Sequence, residues 1–148
     1  MNIIFLDFDG VLVPYNSQDK RDYWGTLFDD QCVEVLRNII FETQSKIVII
    51  SSWGNGLSLL SLKIMWKFRK MPGTIFDRIK NNSLDRSEKI DKWINNHKIN
   101  NYIIIDDMGP RQFSSHHHSH IVQPDTRCGL CDREIEKAIS LMKCGTLL

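Results

Sequence analysis

Two acidic pairs stand out in this chain. Asp7 and Asp9 flank Phe8 at the end of an apolar run, with Gly10 directly after them. Asp106 and Asp107 close a second apolar run, Asn101–Ile105. Period-two spacing puts Asp7 and Asp9 on one side of an extended strand. Where the strand ends they can splay to different tasks, and Gly10 lets the backbone turn away. Packed like charges raise each other's pKa unless a cation sits among them. Hard carboxylate oxygens on short loops suit Mg²⁺, which usually takes one or two carboxylates, waters and a substrate phosphate. A lone D-x-D-G reads as an ordinary turn. Four acids at the ends of two separate strands read as a metal site for phosphate chemistry.

A phosphate also needs donors. Ser51 and Ser52 end the run KIVIIS, where the hydroxyl and backbone N–H of Ser51 can face the same edge or simply cap the next helix. Arg86 is the first residue of a helix that Asp85 opens, and Lys89 lies one turn later. A helix start favours a negative ligand, although paired cations on a surface helix are more often solvated.

These residues need a scaffold that brings them together. Met1–Phe8, Lys46–Ser51 and Asn101–Ile105 read as buried strands, with Ile121–Val122 as a short fourth. Helices are expected from Asp29 or Asp30 to Thr43, over 56–70, from Asp85 with Glu88 as its capping box, and from Asp132 onward. Continuous apolar strands alternating with amphipathic helices imply an α/β fold with a parallel sheet covered on both faces. Such sheets bind ligands beyond the carboxyl ends of their strands, where both acidic pairs and the serines would stand.

The motifs FLDFDGVL, IVIISSW, the helix-opening Arg86 and IIIDDM resemble, in order and spacing, the four motifs of the haloacid dehalogenase (HAD)-like phosphohydrolases. Within them, Ser51-Ser52-Trp53, Arg86 with Ile90, Trp93 and Ile94, and Asp106-Asp107 are similar to the HAD domains of bacterial Swiss Army Knife RNA-repair proteins. The resemblance implies a HAD-like Rossmannoid sheet and phosphomonoester hydrolysis. Asp7 would be the nucleophile and form an aspartyl-phosphate, with Asp9 as general acid and base. Mg²⁺ would be held by Asp7, the Asp9 carbonyl oxygen and Asp107, with Asp106 positioning the basic residue and a water of the ion. Ser51 and Arg86, or Lys89 in its place, would hold the phosphate oxygens.

Length and composition bound the rest. At 148 residues and 25% charged, the chain fits one domain spanning 1–148. Only 34 residues (13–46) and 33 residues (53–85) separate the motifs, and each gap is half or more helix, so no large cap domain is expected. An open site suits a bulky phosphorylated substrate such as an RNA or DNA end. A small-metabolite or phosphoprotein phosphatase, or a catalytically silent module, is the alternative. Residues 63–98 carry ten basic and four acidic side chains, a local anion-attracting stretch on a chain of net charge +1. Within it, Lys63–Lys70 mixes cations with Trp66 and Phe68, a pattern of single-strand binders; helix core beneath a wet face is the more frequent reading. Tyr15–Trp24 is either a flap over the site or a plain loop.

Cys32, Cys128, Cys131 and Cys144 are too few and scattered for a disulfide scaffold, which points to a reducing, cytoplasmic setting. No run approaches the ~18 apolar residues a membrane span needs, and the N-terminus lacks the pattern of a signal peptide. His116, His117, His118 and His120 precede Cys128-x-x-Cys131, which raises a zinc reading. With only one Cys pair, packing of Leu130 and Cys131 against the last helix is the favoured one.

Overall fold

The computed structural model describes residues 1–17, 20–80 and 86–144. Strand β1 (Asn2–Leu6) leads through a tight turn to a small hairpin, β2 (Arg21–Asp22) and β3 (Gly25–Thr26). Helix α1 (Asp30–Thr43) follows, then β4 (Ser45–Ile49), a 3₁₀ turn at Ser52–Asn55 and α2 (Leu59–Phe68). Next come β5 (Ile75–Arg78), α3 (Arg86–Asn95) and β6 (Asn101–Ile105). Two 3₁₀ turns, Pro110–Gln112 and Ser115–His120, precede β7 (Ile121–Val122) and α4 (Arg133–Cys144). Five strands form one parallel sheet in the order β5-β4-β1-β6-β7.

Period-two alternation splits the core. Ile4 and Leu6, with Ile47, Ile49, Ile103 and Ile105, face α1, α2 and α4. Ile3 and Phe5, with Val48, Ile50 and Ile104, face Ile90 and Trp93 of α3 and the 3₁₀ segment at Phe113. Both faces are thus covered, as continuous apolar strands require. Among the described residues, the segments between β1 and β4 and between β4 and β5 hold a hairpin and single helices, and no cap domain.

Local chemistry sets the boundaries. Asp29 caps α1 by accepting from the Cys32 N–H at 3.0 Å, and Gln44 ends it in a left-handed turn at φ 53°. Ser58 caps α2, which is shorter than the expected 56–70, and residues 52–55 ahead of it form a separate 3₁₀ turn. Asp85, the expected cap of α3, lies outside the described residues. Strand β5 has no counterpart in the sequence reading. It is a four-residue edge strand on which only Ile75 is buried, so it lacks the apolar run that marks a central strand.

The reading of Lys63–Lys70 as helix core holds for Trp66, whose indole N–H donates to the Pro72 carbonyl at 2.8 Å. Phe68 is exposed. Arg69 turns to the hairpin, forming a bidentate pair with Asp22 at 2.9 and 2.7 Å and bonding the Gly25 carbonyl at 3.2 Å. That pair pins β2–β3 beside the sheet's carboxyl edge. No helix among the described residues is long and apolar enough to cross a membrane.

Candidate active site

β1 and β6 are adjacent and in register, Leu6 beside Ile105. The next residues, Asp7 and Asp106, are therefore neighbours at one edge, with the Asp7 N–H donating to the Ile105 carbonyl at 3.1 Å. Carboxylate oxygens of Asp7, Asp106 and Asp107 lie within 4.8 Å of one another. Asp7 and Asp106 are buried. Asp9 is exposed two residues on, and the half-buried Trp53 donates its indole N–H to Asp9 Oδ1 at 3.3 Å.

Each carboxylate has its own support. The Phe8 N–H donates to Asp7 Oδ1 at 2.9 Å and the Met108 N–H to Asp106 Oδ1 at 2.9 Å. Thr126 Oγ1 donates to Asp107 Oδ2 at 2.9 Å. Arg86, the first residue of α3, binds Asp106 Oδ2 and stands 3.9 Å from Asp7 Oδ2. Gly10, at φ +77°, turns the chain so closely past Asp107 that a Cβ there would lie 2.0 Å from its Oδ2.

The electrostatics are those of a site short of positive charge. Burial, then Asp106 and Asp107, push Asp7 up to about 7 against the opposing pull of Arg86 and the Phe8 N–H. Burial and Asp107 likewise raise Asp106, against Arg86 and the Met108 N–H. One guanidinium does not offset three converging carboxylates. The donor set is all hard oxygen, and it fits a divalent cation of the Mg²⁺ type.

The cavity over these groups has a volume of about 560 Å³. Asp7, Asp9, Arg86, Asp107, Ser52 and Thr126 contribute to its lining, with Tyr15 and Ser17 from the segment that leads to the hairpin. The family model for the HAD domain in Swiss Army Knife RNA repair proteins matches residues 3–135. The chain belongs to this HAD family. No curated protein and no solved structure matches it.

In this HAD domain the structure brings Asp7, Asp9, Arg86, Asp106 and Asp107 together. Ser51 and Lys89 stand outside the cavity lining. Ser51 is fully buried, and its hydroxyl accepts from the Trp53 N–H at 3.3 Å, the capping role weighed against phosphate binding above. Its neighbour Ser52 lines the cavity. The Lys89 ammonium donates to the Lys80 carbonyl at 2.6 Å and is absent from the lining. Trp53 and Thr126 complete the HAD site without having been singled out for it. Trp53 is visible in the Ser-Ser-Trp run after β4; Thr126, 19 residues past Asp107, carries no local signal.

Proposed function

We propose that the chain is a Mg²⁺-dependent phosphomonoesterase that works as one capless domain through an aspartyl-phosphate on Asp7. The observation carrying this reading is the convergence of the Asp7, Asp106 and Asp107 oxygens within 4.8 Å beside the exposed Asp9. Asp7, Asp107 and the backbone at Asp9 would hold the ion, with Asp106 behind them. When bound, the ion would supply the missing positive charge and neutralise a phosphoryl group.

An Asp7 carboxylate oxygen attacks phosphorus, and the bond from phosphorus to the leaving oxygen breaks. Asp9 gives that oxygen its proton. Asp9 then takes a proton from water as the water attacks the phosphorus of the acyl phosphate, releasing phosphate and regenerating Asp7. Arg86 holds Asp7 and Asp106 in place and faces the phosphoryl oxygens. The exposed Ser52 hydroxyl is the better-placed serine donor, with Ser51 bracing the turn beneath it. Positioning and electrostatics supply most of the effect in such reactions.

Trp53 is a positioning residue for Asp9. Trp53→Phe keeps the ring packed against Phe8 and Phe28 but removes the indole N–H. A hydrogen bond worth about 0.5–1.5 kcal/mol corresponds to a kcat about 2- to 10-fold lower. In kcat/KM, which reports formation of the intermediate, the loss is expected with alkyl leaving groups, which need a proton, and not with a good aryl leaving group, whose kcat still falls because hydrolysis needs Asp9. An equal loss in kcat/KM for both classes would remove Trp53 from this role.

The substrate is a phosphorylated nucleic-acid end. The open cavity shares Asp107 and Thr126 with a second depression of about 610 Å³, in which Arg133 and Lys137 are balanced by Asp125 and Glu134; the two together leave room for a substrate longer than a sugar phosphate. The RNA-repair setting of the family favours the same substrate. Free thiols at all four cysteines suit a reducing cytoplasm. Initial rates on 3′- and 5′-phosphorylated oligonucleotides, phosphopeptides and sugar phosphates, each with and without Mg²⁺, test this. Oligonucleotides should have the highest kcat/KM; parity with sugar phosphates would defeat the nucleic-acid assignment.

A further inference from the structure

The histidine-rich segment does not meet the cysteines. Among the described residues it gathers instead with Asp91 of α3. His116 Nε2 lies 2.7 Å from Asp91 Oδ1, and His117 Nε2 lies 2.8 Å from the same oxygen. The two rings are 4.1 Å apart between centroids. The His117 side chain is fully buried, yet its Nε2 makes no well-directed hydrogen bond despite the nearby carboxylate. A buried ring nitrogen whose bond is poorly directed is under-satisfied. The other nitrogen, Nδ1, is fixed at 2.7 Å from the Tyr102 hydroxyl. Tyr102 in turn stacks on His120, with ring centroids 4.0 Å apart.

The geometry points to a second metal site, in which His116 Nε2, His117 Nε2 and an Asp91 oxygen bind a divalent transition-metal ion of the zinc class. Two imidazoles and a carboxylate are borderline donors suited to such an ion and unlike the all-oxygen set at Asp7. The Tyr102 contact at Nδ1 is the outer-shell bond that fixes a ligating histidine's tautomer and ring plane. Donor atoms of a tetrahedral zinc site stand about 3.3 Å apart, given bond lengths near 2.0–2.1 Å. The observed 2.7 and 2.8 Å must therefore open by about half an ångström. The movable partners are on the surface, with the His116 side chain 56% and the Asp91 side chain 36% exposed, while His117 stays anchored. Asp91 also borders a depression of about 460 Å³ with Ser87 and Glu88, which leaves space for a fourth ligand. Such an ion would tie α3, which carries Arg86, to the segment after Asp107.

The test uses the full chain purified without a histidine tag, with saturating Mg²⁺ to occupy the acidic site. Zinc is titrated while the ring ¹⁵N resonances of the five histidines are followed by NMR. One tight equivalent should shift the Nε2 signals of His116 and His117 and leave that of His97 in place. Asp91→Asn and His116→Asn alter surface side chains and should keep the fold. Each should weaken zinc binding at least about tenfold and abolish the zinc-dependent rise in Tm seen in the wild type. Unmoved Nε2 signals, or variants that bind zinc as the wild type does, would overturn the proposal.

Discussion

Asp7→Asn should abolish turnover and, in the absence of metal, make the protein more stable. Removing the attacking oxygen is expected to lower kcat by roughly 10⁴-fold or more, the scale on which loss of a covalent nucleophile acts. The stability effect follows from linkage. Asp7 sits at about 7 in the fold against an ordinary value of 3.8. Between those pH values the folded state holds more protons than the unfolded one, so stability falls as pH rises through the window. Above pH ~7 the whole penalty is present, at most about 4 kcal/mol at 1.36 kcal/mol per pKa unit. Asparagine occupies the same volume without the charge. In EDTA at pH 8 the variant should therefore melt higher than the wild type, and the gap should shrink toward pH 4. Thermal melts at both pH values check this; a variant that melts lower at pH 8 would show that Asp7 is not strained by its neighbours. Function and fold pull against each other here, as they do at many sites.

Gly10→Ala should disable the site from the other side of the cluster. The new Cβ would meet Asp107 Oδ2 at 2.0 Å, and the φ of +77° is one that alanine adopts at a cost of about 1–2 kcal/mol. Asp107 cannot stay where Thr126 holds it. Displacing a carboxylate in this way is expected to weaken divalent metal binding by about 10- to 100-fold, as disturbed outer-shell support does, and to reduce turnover with it. Gly56→Ala is the control, since its backbone is in the right-handed region and nothing lies within 4 Å of the added Cβ. Calorimetric titration with Mg²⁺ reads the difference; Gly10→Ala binding as tightly as Gly56→Ala would mean that Asp107 is not part of the ion's shell.

The sequence carried the acidic half of the site because strand ends are legible. Apolar runs stop abruptly at Asp7 and Asp106, and a parallel sheet brings such ends to one edge. Its donors were harder to read. Ser51 and Ser52 are neighbours in sequence, and their roles depend on how the chain leaves β4 into a 3₁₀ turn. Arg86 and Lys89 lie three positions apart on one helix, yet the first reaches the carboxylates and the second a backbone carbonyl. Strand β5 escaped notice because an edge strand needs neither an apolar run nor alternation. The hairpin and Thr126 depend on contacts across long stretches of chain, Arg69 to Asp22 and Thr126 to Asp107, for which a single sequence holds no local signature. The histidines were visible as a group; their partner, Asp91, was not, because it lies on a separate helix, 25 residues before His116.

The most direct measurement asks where the phosphate goes. Asp9→Asn protein is mixed with an aryl phosphate and Mg²⁺, quenched in acid within the first turnover, digested and analysed by mass spectrometry. The aryl leaving group departs without help from Asp9, whereas hydrolysis of the intermediate needs it. The account predicts a burst of aryl alcohol with phosphate on the peptide carrying Asp7. The same burst with Asp7 unmodified would contradict it.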